Sequence, residues 1–105
     1  MKEISVQELK NMKDNHEDFQ LIDVREEYEF ETCNIGGQLI PMGEVLDNVD
    51  KISRDKKVVI HCRSGKRSAT VIGALESQHG FDNLYNLSGG IMAWADNIDH
   101  SLPKY

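Results

Sequence analysis

Four short runs rich in β-forming residues, Gln20 to Val24, Gln38 to Ile40, Val58 to Cys62 and Asn83 to Leu87, recur along this chain with helical spacing between them. The connections are too short for anything but compact α/β units. Such alternation predicts an α/β fold: a mostly parallel sheet covered by helices on both faces. The 105 residues suffice for one hydrophobic core, so residues 1–105 are expected to form a single domain.

The helical segments carry their own signals. Ser5 and Glu8 have the spacing of a capping box, with Ile4 and Leu9 flanking it, and the helix that follows buries Leu9 and Met12 and frays by Asn15. A short helix follows Val24 in the acidic, aromatic segment Arg25 to Phe30. Val45, Leu46, Val49 and Ile52 form one apolar stripe, as do Ser68, Val71, Ile72 and Leu75 in a helix that ends near Gly80. Ser88-Gly89-Gly90 breaks the last strand. Ile91 to Ile98 then predicts a final helix anchored in the core by Trp94.

Between the strand at Val58 and the helix at Ser68 lies His61-Cys62-Arg63-Ser64-Gly65-Lys66-Arg67-Ser68. A strand-to-helix turn of this kind sits at the carboxyl end of a strand, where open α/β sheets bind ligands. It holds one thiol, three cations and no acid. A free thiol ionises at about 8.5, but unpaired amides at a helix start, joined by Arg63, Lys66 and Arg67, lower that value and favour the nucleophilic thiolate. Gly65 lets successive amides turn inward to form an anion-binding concavity. Ser64 completes the expected cradle, and Lys66 and Arg67 are expected at its mouth.

Nearby groups have less claim on the chemistry. Neighbours on a strand point to opposite faces, so His61 is expected to be a hydrogen-bonded structural histidine and not a base for Cys62. Asp23 and Arg25 lie at the carboxyl edge of the first predicted strand, either as active-site groups or as a structural ion pair, the commoner arrangement. Cys33 reads as a small buried hydrophobe.

The formal net charge of −6 argues against nucleic-acid binding, which needs a basic face. Between Asp55 and Glu76, however, no acid occurs, and screening over about 8–10 Å lets the local cations govern the loop. Two cysteines make no disulfide framework, and no Cys/His spacing suggests zinc, so neither metal nor cofactor is expected. With no signal-peptide pattern and no apolar run of membrane-spanning length, the expected setting is the reducing cytoplasm, without membrane partners.

With these residues identified, the chain resembles the single-domain rhodaneses, a sulfurtransferase family. Leu21-Ile22-Asp23-Val24-Arg25 followed by Glu26-Glu27-Tyr28 resembles the amino-terminal motif, and Cys62-Arg63-Ser64-Gly65-Lys66-Arg67-Ser68 the active-site loop. Gly80-Phe81, Leu84-Tyr85-Asn86-Leu87-Ser88-Gly89-Gly90-Ile91 and Ala93-Trp94 resemble the carboxyl-terminal signature. Around Cys33-Asn34-Ile35-Gly36-Gly37-Gln38 the chain departs from the family's histidine, isoleucine and proline-glycine-alanine, keeping only Ile35 and Gly37.

The resemblance implies a three-layer α/β/α sandwich with a five-stranded sheet, and sulfur transfer through a persulfide. Cys62 would take a sulfane sulfur from thiosulfate or a persulfide donor, amides from Arg63 to Arg67 would cradle it, and cyanide, a thiol or a protein thiol would remove it. Related phosphatases have a loop one residue longer between cysteine and arginine; here Arg67 follows Cys62 after four residues, and Ser68 stands at the phosphatase arginine's place. Two alternatives remain: a noncatalytic persulfide carrier or interaction module, and, ranked below it, a phosphatase or arsenate reductase.

Overall fold

The computed structural model describes residues 1–105. Its elements in chain order are β1 (Lys2–Ile4), α1 (Val6–Asp14), β2 (Gln20–Asp23), α2 (Glu27–Thr32), β3 (Gln38–Leu39), two 3-10 segments (Met42–Asp47 and Val49–Lys51), β4 (Val58–His61), α3 (Lys66–His79), β5 (Leu84–Leu87) and α4 (Gly90–Asn97). The five strands form one sheet in the order β1-β5-β4-β2-β3, and every pairing is parallel.

Strand β4 lies at the centre. All four of its residues are buried, and Ile60 is flanked by Ile22 of β2 and Asn86 of β5. Its side chains alternate between two cores: Val58 and Ile60 join Ile22, Val71, Ile72, Leu75 and Leu84 on the α3 side, whereas Val59 joins Leu9, Leu87, Ile91 and Trp94 on the α1 and α4 side. Continued one step, this alternation puts Cys62 in the α3-side core and separates it from His61. The helices thus cover both faces of the sheet, as the strand–helix alternation requires.

Local signals act as the residues dictate. The Ser5–Glu8 capping box is formed, with Ser5 Oγ accepting from the Glu8 amide at 3.1 Å and Glu8 Oε1 accepting from the Ser5 amide at 3.2 Å. Trp94 is buried against the α1 face. Helix α3 begins at Lys66, two residues before the apolar pattern starts at Ser68.

Two expectations need correction. Lys2-Glu3-Ile4 is too short and polar to read as a strand, yet β1 forms there because β5 offers a free edge, pairing Ile4 with Leu87. Leu46 does not share the buried stripe of Val45 and Ile52 but is 45% exposed. The segment winds as 3-10 helix, whose three residues per turn rotate Leu46 away from the inward direction of Val45.

Asp23 and Arg25 are a structural ion pair. The fully buried guanidinium gives Nε to both Asp23 oxygens at 3.0 and 3.1 Å, and Nη2 to Oδ2 at 2.7 Å. Nη2 also donates to the Cys33 carbonyl at 2.7 Å, and Nη1 to the Tyr105 hydroxyl at 2.7 Å. The pair therefore fastens the end of β2 to the end of α2 and to the carboxyl-terminal segment. Arg25→Ala would leave a buried carboxylate without its partner, and urea unfolding is expected to register a loss of about 3–5 kcal/mol.

Candidate active site

Cys62 follows β4 directly and is 1% exposed. Its Sγ accepts a hydrogen bond from the Gly65 amide at 3.1 Å and lies 3.4 Å from Ser68 Oγ. Gly65 adopts φ 103°, a left-handed conformation that lets the chain turn back over the sulfur and start α3.

The far side of the loop is held by α4. The Ile91 amide donates to the Cys62 carbonyl at 2.9 Å and the Met92 amide to the Arg63 carbonyl at 3.1 Å. In a trans peptide the carbonyl and the next N–H point in opposite directions, so turning the Arg63 carbonyl toward α4 turns the Ser64 amide toward the sulfur. Close approach is possible because Gly90 has no side chain; a Cβ there would stand 2.4 Å from the Arg63 oxygen.

Burial alone would push the Cys62 thiol up. Hydrogen bonding from the Ser68 hydroxyl and from the amides of Ser68, Gly65 and Ser64 outweighs it and holds the thiol below its ordinary value. Ser68 is itself placed by Asn86 on β5, whose Oδ1 accepts from Ser68 Oγ at 2.6 Å and whose Nδ2 donates to the Gly65 carbonyl at 3.1 Å. A hydroxyl has one hydrogen. With Cys62 protonated it can point at Asn86, and with the thiolate formed it can turn to sulfur.

The three cations have different fates. Arg67 makes a two-pronged ion pair with Glu29 of α2, at 2.7 Å (Nη1–Oε1) and 2.9 Å (Nη2–Oε2). Arg63 donates through Nε and Nη2 to the Tyr105 backbone oxygen, with the Nε contact at 2.7 Å, and its guanidinium lies 5.2 Å from the Tyr105 ring centre. Lys66 is exposed and makes no ion pair. Arg67 also brings Glu29 down to about 2, against the effect of burial, with help from the Glu26 amide and the Tyr105 hydroxyl.

His61 is fully buried on the opposite side of the strand from Cys62. Nδ1 lies 3.4 Å from the Cys62 carbonyl and Nε2 3.7 Å from Asp23, and burial lowers its pKa against the pull of Asp23. It is a neutral structural group. Cys33 is buried too, with Sγ 3.5 Å from the Pro103 carbonyl.

All of Cys62, Arg63, Ser64, Gly65, Lys66 and Arg67 gather in one turn because they are contiguous. Ser68, adjoining the turn, and Asn86, Glu29 and Tyr105, brought in from elsewhere in the chain, are site residues that the local sequence does not assign to the chemistry. Asn86 left a trace: it is a polar residue on the strand face that also presents Leu84 to the core.

The sequence model of the Rhodanese-like domain matches residues 5–97. The chain belongs to the rhodanese-like family. A structure titled Rhodanese-like Domain Protein, from Staphylococcus aureus, is 36% identical, with a TM-score of 0.83 over 93% of this chain and 95% of that one. A protein of Allochromatium vinosum named Sulfurtransferase is 37% identical over 102 residues, 96% of this chain and 92% of its own length. One named "Probable adenylyltransferase/sulfurtransferase MoeZ", from Mycobacterium tuberculosis, is 33% identical over 105 residues, and the chain spans only 26% of its length. The chain likewise spans 38% of a Rhodanese-like/PpiC domain-containing protein of Arabidopsis thaliana, so it covers only part of the length of several relatives it matches.

If the Ser68 hydroxyl favours the thiolate, Ser68→Ala raises the Cys62 pKa, since burial remains and one donor is lost. Iodoacetamide alkylation followed against pH is expected to show its midpoint below the usual thiol range in the parent and displaced upward in the variant.

Proposed function

We propose that this rhodanese-like chain is a sulfurtransferase that carries a sulfane sulfur as a persulfide on Cys62. The observation that carries the reading is the sulfur of Cys62 facing inward amides at the carboxyl end of the central strand, in a turn of six residues from Cys62 to Arg67. The family and the sulfurtransferase named among its relatives support the same class of reaction.

With thiosulfate as donor, the thiolate attacks the outer sulfur, the new S–S bond forms, and the old one breaks with its electron pair leaving on sulfite. An organic persulfide donor reacts in the same way and releases its thiolate. The terminal sulfur on Cys62 is then anionic, and the loop amides that stabilise the thiolate are the donors available to stabilise it. A nucleophilic acceptor, whether cyanide, a small thiol or a protein thiol, attacks that sulfur and returns Cys62 to its thiolate. No separate base is needed when the nucleophile is already ionised.

Incubation with thiosulfate or a small persulfide is expected to add the mass of one sulfur to the intact protein, on Cys62. Cys62→Ser should remove both the mass increase and turnover with cyanide while leaving the thermal unfolding curve in place; a protein that stays unmodified with every donor refutes the reading. Loading without turnover would instead assign the chain as a persulfide carrier.

Among the cations, Lys66 is the one with its charge uncommitted. Lys66→Gln is expected to raise KM for thiosulfate by about threefold to tenfold with kcat little changed, as for a charge that attracts the donor without touching the transferred sulfur. Steady-state kinetics with cyanide as acceptor measures this.

A further inference from the structure

The electrostatics of the loop differ from what its sequence implies, and the difference comes from Glu29. This carboxylate lies 38 residues from Arg67 in the chain, on α2, and is nearly inaccessible. Both of its oxygens are occupied twice: Oε1 by Arg67 and the Glu26 amide at 3.0 Å, and Oε2 by Arg67 and the Tyr105 hydroxyl at 2.9 Å. A side chain held at four points does not swing away to let an anion take its place, and the guanidinium fork it occupies is the one a dianion would use.

Charge balance follows. Glu29 cancels the charge of Arg67, so of the three loop cations the folded site presents one positive charge fewer to the Cys62 thiolate and an incoming donor than the loop alone would. A dianion arriving beside a thiolate is penalised by that missing charge about twice as much as a monoanion.

We propose that Glu29 is a specificity-determining residue, whose neutralisation of Arg67 sets the active-site mouth to favour monoanionic sulfane-sulfur donors over dianionic ones. The proposal rests on the sulfur-transfer reading above and refines its substrate class. Glu29 touches neither the donor nor the reacting sulfur; it acts through Arg67.

Thiosulfate and methanethiosulfonate separate charge from chemistry. They are nearly the same shape and deliver the same sulfur to the Cys62 thiolate. The broken S–S bond leaves its electrons on sulfite in one case and on methanesulfinate in the other. They differ by one negative charge. The quantity to measure is the ratio of kcat/KM for thiosulfate to that for methanethiosulfonate, with cyanide as acceptor.

Glu29→Gln is expected to raise this ratio about threefold to fivefold at low salt, and the gain should shrink at about 0.5 M salt. Arg67→Gln should lower the ratio, and the double variant, which restores the parent's net charge, should return it to within about twofold. A merely structural Glu29 would make both donors fall together and leave the ratio flat, which overturns the proposal. Should Glu29→Gln fail to fold, an unchanged ratio in folded Arg67→Gln overturns it equally. Intact mass distinguishes the two levels of failure: sulfur loaded on Cys62 with a flat ratio removes only the role of Glu29, whereas no loading from either donor removes sulfur transfer along with it.

Discussion

Two backbone hydrogen bonds, from the amides of Ile91 and Met92 to the carbonyls of Cys62 and Arg63, underlie the site. They convert the start of α4 into a clamp on the back of the loop, and peptide planarity passes that clamp to the front as an inward amide. The loop's glycine is then free to complete the turn. A thiol buried among apolar side chains would be harder to ionise than in water; here burial is outweighed by the Ser68 hydroxyl and the amides of Ser68, Gly65 and Ser64, the last of them aimed by the clamp.

A second layer of the structure is ionic. Asp23 and Arg25 pair at the carboxyl end of β2, Tyr105 bridges Arg25 to Glu29, and Glu29 holds Arg67. Each member is satisfied by the next, which is what allows charges to be buried here at tolerable cost. The same chain of contacts couples the carboxyl-terminal segment to the loop, since Tyr105 also receives Arg63. Scaffold and electrostatic tuning are therefore not separate sets of residues.

Much of this was legible in the chain, and the reason is locality. Cys62 to Arg67 are contiguous, the apolar runs that flank them have unambiguous periods, and the departure of His61 from the site follows from strand alternation alone. What could not be read depends on distant partners. The strand at Lys2–Ile4 exists through its pairing with β5, the exposure of Leu46 through a tighter winding than the apolar spacing suggests, and the pairing of Arg67 through an acid 38 residues away, in a segment whose sequence marks only a short acidic helix. The sequence stretch without acids between Asp55 and Glu76 made the loop look more positive than the folded site is.

The close approach of Gly90 to the loop also has a consequence in time. Synthesis proceeds from the amino terminus, and the amides that clamp Cys62 and Arg63 belong to residues 91 and 92. Asn86, which places Ser68, is also made after the cysteine. A nascent chain therefore carries Cys62 as an ordinary thiol, and its acidity emerges only when the last helix docks against the sheet. Reactivity is thus a late property of this domain, gained once residues 86 to 92 have been made and docked.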